Sequence, residues 1–310
     1  MRQQRRSECG WGNSGCWRVL SGWAVHHRGT AAKVIGVAVL GVVPFLTGCI
    51  TTDEIEAMAP SMDDLADPER LHYEAQDLTP QALEDRMREI DQYYAEPRSF
   101  GKVLASYETS IKSISRQNGY EALWRGARAC AWIAESNESR GRRKDYAVQG
   151  MKMAKAAMLK TELQGRPEPF YYYAVCLGSY CGNTREASRD TLTKMRDNMK
   201  IAKAIDPKFD YCGANRFLGQ LYIQTDSYPL LSMGTAEQGI ALLKEAVEQC
   251  PEFGENHLLY AKALAEDGQT ELARAEIEKV MASPRLQDHS AEHDAWLEQA
   301  TTLLTDLQGK

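Results

Sequence analysis

From Gly119 onward the apolar positions recur every three to four residues, the period of one helix face, and the recurrence comes in pairs. In YEALWRGARACAWIAE, Leu123, Ala127, Cys130, Ala131 and Ala134 share a face, and Tyr146 to Lys160 supplies a partner helix. A second pair follows Pro167 and Pro169, with FYYYAVCLGSYC and then a helix from about Thr184 to Ile205. A third sets Leu218, Gly219 and Tyr222 against Ile240, Leu243, Ala246 and Val247, closed by Pro251. The fourth runs through Tyr260, Ala261, Leu264, Gly268, Ala273, Ile277 and Val280 to Pro284. Upstream, Thr79 with Pro80 starts a helix to Tyr94, and Ser99 caps another to about Ser115. Past Pro284 a last helix carries Ala291, Trp296, Leu297, Ala300, Leu303, Leu304 and Leu307, a cover for the open end of an array. About eleven helices and essentially no strand are expected.

The spacing of the fourth pair resembles the 34-residue tetratricopeptide unit. MKMAKAA at Met151–Ala157 and MKIAKAI at Met199–Ile205 look like copies of one second helix, so the repeat is elongated early and regular late. The fold class is therefore all-α: stacked antiparallel hairpins, as a tetratricopeptide-like α-solenoid or a compact helical bundle. The third pair is interrupted by TDSYPLLSMGT, which an ordinary repeat lacks. An insertion of this kind projects where repeat scaffolds bind.

With 43% hydrophobic residues the chain can bury a substantial core, and a formal net charge of -6 without a basic aromatic stripe argues against nucleic acid. Arg28 and Lys33 precede the uncharged apolar run Val34–Leu46, which is too short to span a membrane, and LTGC ends at Cys49. That order resembles the lipobox of a bacterial lipoprotein. It implies removal of residues 1–48, as an upstream extension plus signal peptide, and diacylglycerol and an N-acyl lipid on Cys49. Ile50 in place of aspartate implies outer-membrane sorting, facing the periplasm. The proline-interrupted acidic stretch 49–78 is expected to be a tether, and 79–310 a single helical domain.

No enzyme constellation stands out: HExxH, GxSxG and a phosphate-binding glycine loop are all missing from the sequence, and His257, His289 and His293 form no metal motif. A non-enzymatic protein with no metal and no cofactor beyond the lipid is expected. Beyond Cys49, the set Cys130, Cys176, Cys181, Cys212 and Cys250 is odd, so at least one thiol is free or intermolecular. Cys181 and Cys212, both at helix borders in YCG contexts, are the better disulfide candidates. The candidate binding residues are Arg216, Tyr222, Tyr228, Tyr172 and Asn256, a cleft near 225–235 with aromatic walls. Arg216 would either hold a carboxylate by its planar fork or pair with Asp210 or Asp226 on the helix surface.

The order of lipobox, WRGARACAWIAE, MKMAKAA, DYCGANRFLGQLY, the proline-containing insertion and the last repeat resembles the T-component lipoproteins of tripartite ATP-independent periplasmic (TRAP) transporters. The resemblance spans about 100–284 and rests on Gly213, Asn215, Arg216, Gly219, Tyr222, Tyr228, Pro229, Asn256, Ala261 and Gly268. It implies a lipid-anchored periplasmic accessory of a small-molecule transport system. The expected partners are the substrate-binding P component, or else another envelope protein held by a general scaffold, with a small organic acid or hydrophobic molecule as ligand; self-association stays open. The YCG segments and the long N-terminal extension depart from that family pattern.

Overall fold

In the computed structural model, residues 67, 78–95, 97–114, 119–136, 139–160, 165–184 and 187–309 are described. Among them the chain forms eleven α-helices, no strand, and one short 3-10 turn. They are α1 (Pro80–Tyr94), α2 (Phe100–Lys112), α3 (Gly119–Ser136), α4 (Arg140–Met158), α5 (Glu168–Thr184) and α6 (Arg189–Ile205). Then come α7 (Phe209–Asp226), α8 (Ala236–Gln249), α9 (Gly254–Glu266), α10 (Thr270–Ala282), the 3-10 turn Gln287–His289 and α11 (Ser290–Gln308). The protein is all-α, as the hydrophobic period predicts. The stretch holding Cys49 and nearly all of the expected tether lie outside the described residues.

Local chemistry sets the helix starts. Thr79 and Ser99 each accept a backbone N–H of the following turn, and Pro80 opens α1 where its missing N–H costs nothing. Reciprocal capping boxes, Ser188 with Thr191 and Thr235 with Gln238, begin α6 and α8. Gly268, at φ 81°, turns the chain out of α9, and the amide of Gln269 bonds back to the carbonyl of Leu264 at 2.8 Å.

Consecutive helices pack in pairs, and the odd-numbered helices also touch each other along the array, α1 with α3, α3 with α5, α7 with α9 and α9 with α11. The duplicated motif falls on the second helices as expected: Met151, Met153, Ala154 and Ala157 of α4 and Met199 and Ala202 of α6 are buried. One cluster of buried side chains runs from Ile90 in α1 to Leu259 in α9, and a second joins α9 and α10 to Trp296, Ala300 and Leu307 of α11. The last helix is thus a cover, and Trp296 is 1% exposed.

Helices α7 and α8 approach most closely where two glycines face. A Cβ on Gly239 would stand 2.5 Å from the carbonyl oxygen of Gly219 and 2.7 Å from Cγ1 of Ile223. Because backbone cannot step aside, Gly239→Ala should push the hairpin apart and cost about 1–3 kcal/mol, read as a lower urea midpoint at unchanged slope.

Lys262 ties α9 to α11 by donating to Oε1 of Gln299 at 2.6 Å. Burial pushes its ammonium down from 10.5 to about 8, against the pull of Glu255 and Glu266. Between those two values the unfolded chain holds a proton that the folded chain has released, so this group makes stability rise with pH. Urea unfolding from pH 8 to pH 10 should show that rise, and Lys262→Met should flatten it.

Candidate functional site

The backbone does something at the start of α7 that no periodicity foretells. Asp210, Tyr211 and Cys212 are three successive non-glycine residues with φ of 51°, 50° and 64°, a left-handed turn joined to a right-handed helix. Each such residue costs roughly 1–2 kcal/mol, so the turn persists only because its surroundings hold it. All three side chains are pinned. Asp210 accepts from the hydroxyl of Tyr171 at 2.5 Å and from Arg216 at 3.0 Å. Tyr211 stacks flat on Phe253, with ring centres 4.7 Å apart, and its hydroxyl donates to Asp288. Cys212 is disulfide-bonded to Cys250, with Cα atoms 6.2 Å apart.

This corrects the expected Cys181–Cys212 pair. Cys181 is buried on α5 and takes no part in this bond, while the left-handed turn swings Cys212 toward the end of α8, where Cys250 waits. Cys130 and Cys176 are buried thiols, and burial pushes both up.

Arg216, 4% exposed, is the centre of this arrangement. It donates to Asp210, to Oδ1 of Asn256 at 3.1 Å and to the carbonyl of Tyr211 at 2.5 Å, lies 3.4 Å from Glu255 and sits over the Phe253 ring at 4.5 Å. Of the two readings open to the sequence, the pairing with Asp210 is present, but in the interior rather than on the helix surface. Asn256 is fully buried, and its amide nitrogen donates to the carbonyls of Tyr211, Ala246 and Cys250, which ties the turn to the end of α8.

Beside this network lies a cavity of about 390 Å³ whose walls come from all the odd-numbered helices and their flanking turns. Tyr94 and Arg98 come from the end of α1, Arg128 and Trp132 from α3, Tyr171 and Tyr172 from α5, Asp210 and Arg216 from α7, Glu255 from α9, and Glu292 and Trp296 from α11. Arg98 closes the ring between the two ends of the array: it donates to the carbonyl of Asp288 and stands 3.5 Å from Glu292. Tyr172 lies parallel to Trp124, ring centres 6.4 Å apart, and Arg128 sits 4.0 Å over the ring of Tyr94. Desolvation raises the phenols of Tyr94 and Tyr172, because the surface they keep faces this enclosed space. His289, in the same wall, is lowered by burial and so is neutral at pH 7.

Two donors in the walls, Nε of Arg128 and Nε1 of Trp296, are buried with no hydrogen-bond partner.

The structure therefore brings Arg216, Asn256 and Tyr172 into one region and leaves Tyr222 and Tyr228 elsewhere. Tyr222 is buried against Gly234, where a Cβ would come within 2.5 Å of its ring. Tyr228 lies in the turn after α7, its carbonyl accepting from Leu231. The insertion lends no residue to the cavity; it folds back on its own hairpin, with Met233 donating its N–H to Thr225, and onto the start of α6, where Leu230 accepts from Arg189. Sequence reasoning missed Arg98, Arg128, Phe253 and Trp296 as parts of one site. Clustering of Tyr94, Arg98 and Arg128 with the last helix has no sequence signal, since its members lie up to 202 positions apart, from Tyr94 to Trp296.

Among the described residues no group of three or more His, Cys, Asp or Glu could hold a metal ion, and no helix is long and apolar enough to cross a membrane. His257 is instead paired with Glu276 at 2.6 Å inside the last hairpins.

Residues 86–213 match the family described as RMD1-3, regulator of microtubule dynamics protein 1-3, from within α1 to the left-handed turn. No curated protein matches the chain. The family match overturns the resemblance to TRAP T-components, because it rests on six consecutive helices, whereas the helix order and scattered glycines behind the earlier resemblance suit many hairpin arrays. The P-component or envelope-protein partner, the small organic acid or hydrophobic ligand and the transport role fall with it. So do the outer-membrane, periplasm-facing location and the diacylglycerol and N-acyl lipid on Cys49, which rested on a short apolar run and one tetrapeptide. The matched family is described as a regulator; what the chain is similar to, over 86–213, is a regulator of microtubule dynamics.

Proposed function

We propose that this protein is a non-catalytic regulator that acts by binding, with the cavity among its odd-numbered helices as receptor for an acceptor-bearing segment of a partner protein. A microtubule-type polymer is the assembly it regulates. The observation that carries the binding site is one volume walled by aromatic rings and charged side chains from every odd-numbered helix. A cavity of about 390 Å³ has room for a side chain and the carbonyls beside it, and Tyr94, Trp132 and Tyr172 give it the large, stiff surfaces that anchor protein segments. Arg216 and Asn256 enter as positioning residues, since their bonds are spent on the turn that carries Asp210. The polymer is suggested by the family similarity over 86–213.

The test is tubulin assembly followed by turbidity and by co-sedimentation, with wild type and with the double variant Tyr94→Phe/Tyr172→Phe, which removes two polar handles and keeps the rings. Wild type should alter the assembly rate and pellet with polymer, and the variant should bind about tenfold more weakly while circular dichroism shows the same helix content. A wild-type protein that neither changes assembly nor pellets would overturn the reading.

A further inference from the structure

We infer that the Cys212–Cys250 disulfide is a redox control on this cavity: reduction releases the left-handed turn and dismantles the wall that Asp210, Gly213 and Arg216 form. The inference rests on the binding reading for its consequence and on geometry for its mechanism. Cys212 lies between those wall residues in the chain, and its own backbone is the third in a run of left-handed conformations that residues with a Cβ avoid. Through Cys250 the turn is clamped to the end of α8. Asn256 reads the same clamp from the other side, bonding to the carbonyls of Tyr211 and Cys250 together.

Cys212 is fully buried and Cys250 is 3% exposed, and Cys250 lines a second hollow of about 520 Å³ together with Lys208, Phe209, Tyr211, Gln249 and Glu252. Arg128, Tyr172 and Asp210 line both volumes, so the two hollows share a wall that the turn helps to form. A thiolate of a small dithiol entering this hollow attacks one sulfur and forms a mixed disulfide. Its second thiolate then displaces that sulfur and leaves as a cyclic disulfide. Two electrons pass to the protein, and two protons complete the Cys212 and Cys250 thiols. With the clamp gone, Asp210 and Tyr211 are held only by side-chain contacts against a backbone that prefers right-handed geometry. The two hollows then merge and Arg216 loses its fixed carboxylate. Cys130, Cys176 and Cys181 are buried thiols in the hairpins upstream and take no part.

Hydrogen exchange of the full chain tests this without any partner, comparing oxidised protein, protein reduced with dithiothreitol, and Cys212→Ser/Cys250→Ser. Amides across 209–216 should exchange about tenfold faster in the reduced and serine forms, while those of α3 and α4 stay unchanged. Reduced protein should also lose its effect on tubulin assembly. Equal exchange across 209–216 in all three forms would overturn the inference, and so would faster exchange with the assembly effect retained. An oxidised protein with no effect on assembly defeats the binding reading instead, and leaves the exchange comparison to decide whether the disulfide holds the turn.

Discussion

Arg216→Ala should destabilise the folded array by about 3–5 kcal/mol, the cost of deleting one member of a buried ionic network. The losses are specific. Asp210 keeps the hydroxyl of Tyr171 but loses its guanidinium, Glu255, 7% exposed, loses a cation 3.4 Å away, and Oδ1 of Asn256 and the carbonyl of Tyr211 each lose a donor. For a helical region of this size the loss corresponds to a fall in melting temperature of roughly 6–20 °C, measured by circular dichroism. Arg216→Lys should recover little of it, because a single ammonium cannot reach Asp210, Glu255 and Asn256 at once while lying on the Phe253 ring. A variant melting within about 1 °C of wild type would show that the network contributes nothing net.

Phe253→Ala is expected to cost a similar amount, about 3–5 kcal/mol, by a different route. Phe253 is fully buried, stacked on Tyr211, edge-on to His289 and Trp296 at 4.9 Å each, and covered by Arg216. Its removal opens a void between the left-handed turn and the covering helix, so the damage should reach both. Hydrogen exchange should quicken in 209–213 and in 290–300 together, a pattern that thinning of an ordinary core position in α4 would not give. Because Arg216 and Phe253 touch, the double variant should lose less than the two single losses added, and a cycle of the four proteins should return a coupling of about 0.5–3 kcal/mol. Strict additivity would mean that the turn is held by parts acting independently.

The helices were legible because their causes are local. The three-to-four residue period of Leu123, Ala127, Cys130, Ala131 and Ala134, the caps at Thr79 and Ser99, and Gly268 after α9 each act within a turn or two of chain, and each stands where the pattern puts it. The covering role of the last helix was equally plain, since a repeat array leaves one apolar face open and Trp296, Ala300 and Leu307 are the side chains that fill it. The site was legible only in part. Arg216, Tyr172 and Asn256 do share one region, because residues near the start of successive first helices of hairpins come together when the hairpins stack. The insertion misdirected the rest of the reading: extra length suggested an exposed cleft, yet Met233 and Gly234 are packed against Thr225 and Tyr222 of the same hairpin.

By itself, then, the sequence determined an all-α array of paired helices, their order, and which face of each is apolar, since backbone hydrogen bonding and the helical period are settled between near neighbours. Tertiary structure alone decided that Cys212 bonds to Cys250, that three residues with side chains hold left-handed backbone, and that Arg216 is buried among acids. It also decided that Tyr94, Arg98, Arg128 and Trp296 wall one cavity. The physical reason is distance along the chain: such features are held by contacts between residues as far as 194 positions apart, and no period shorter than a hairpin records them.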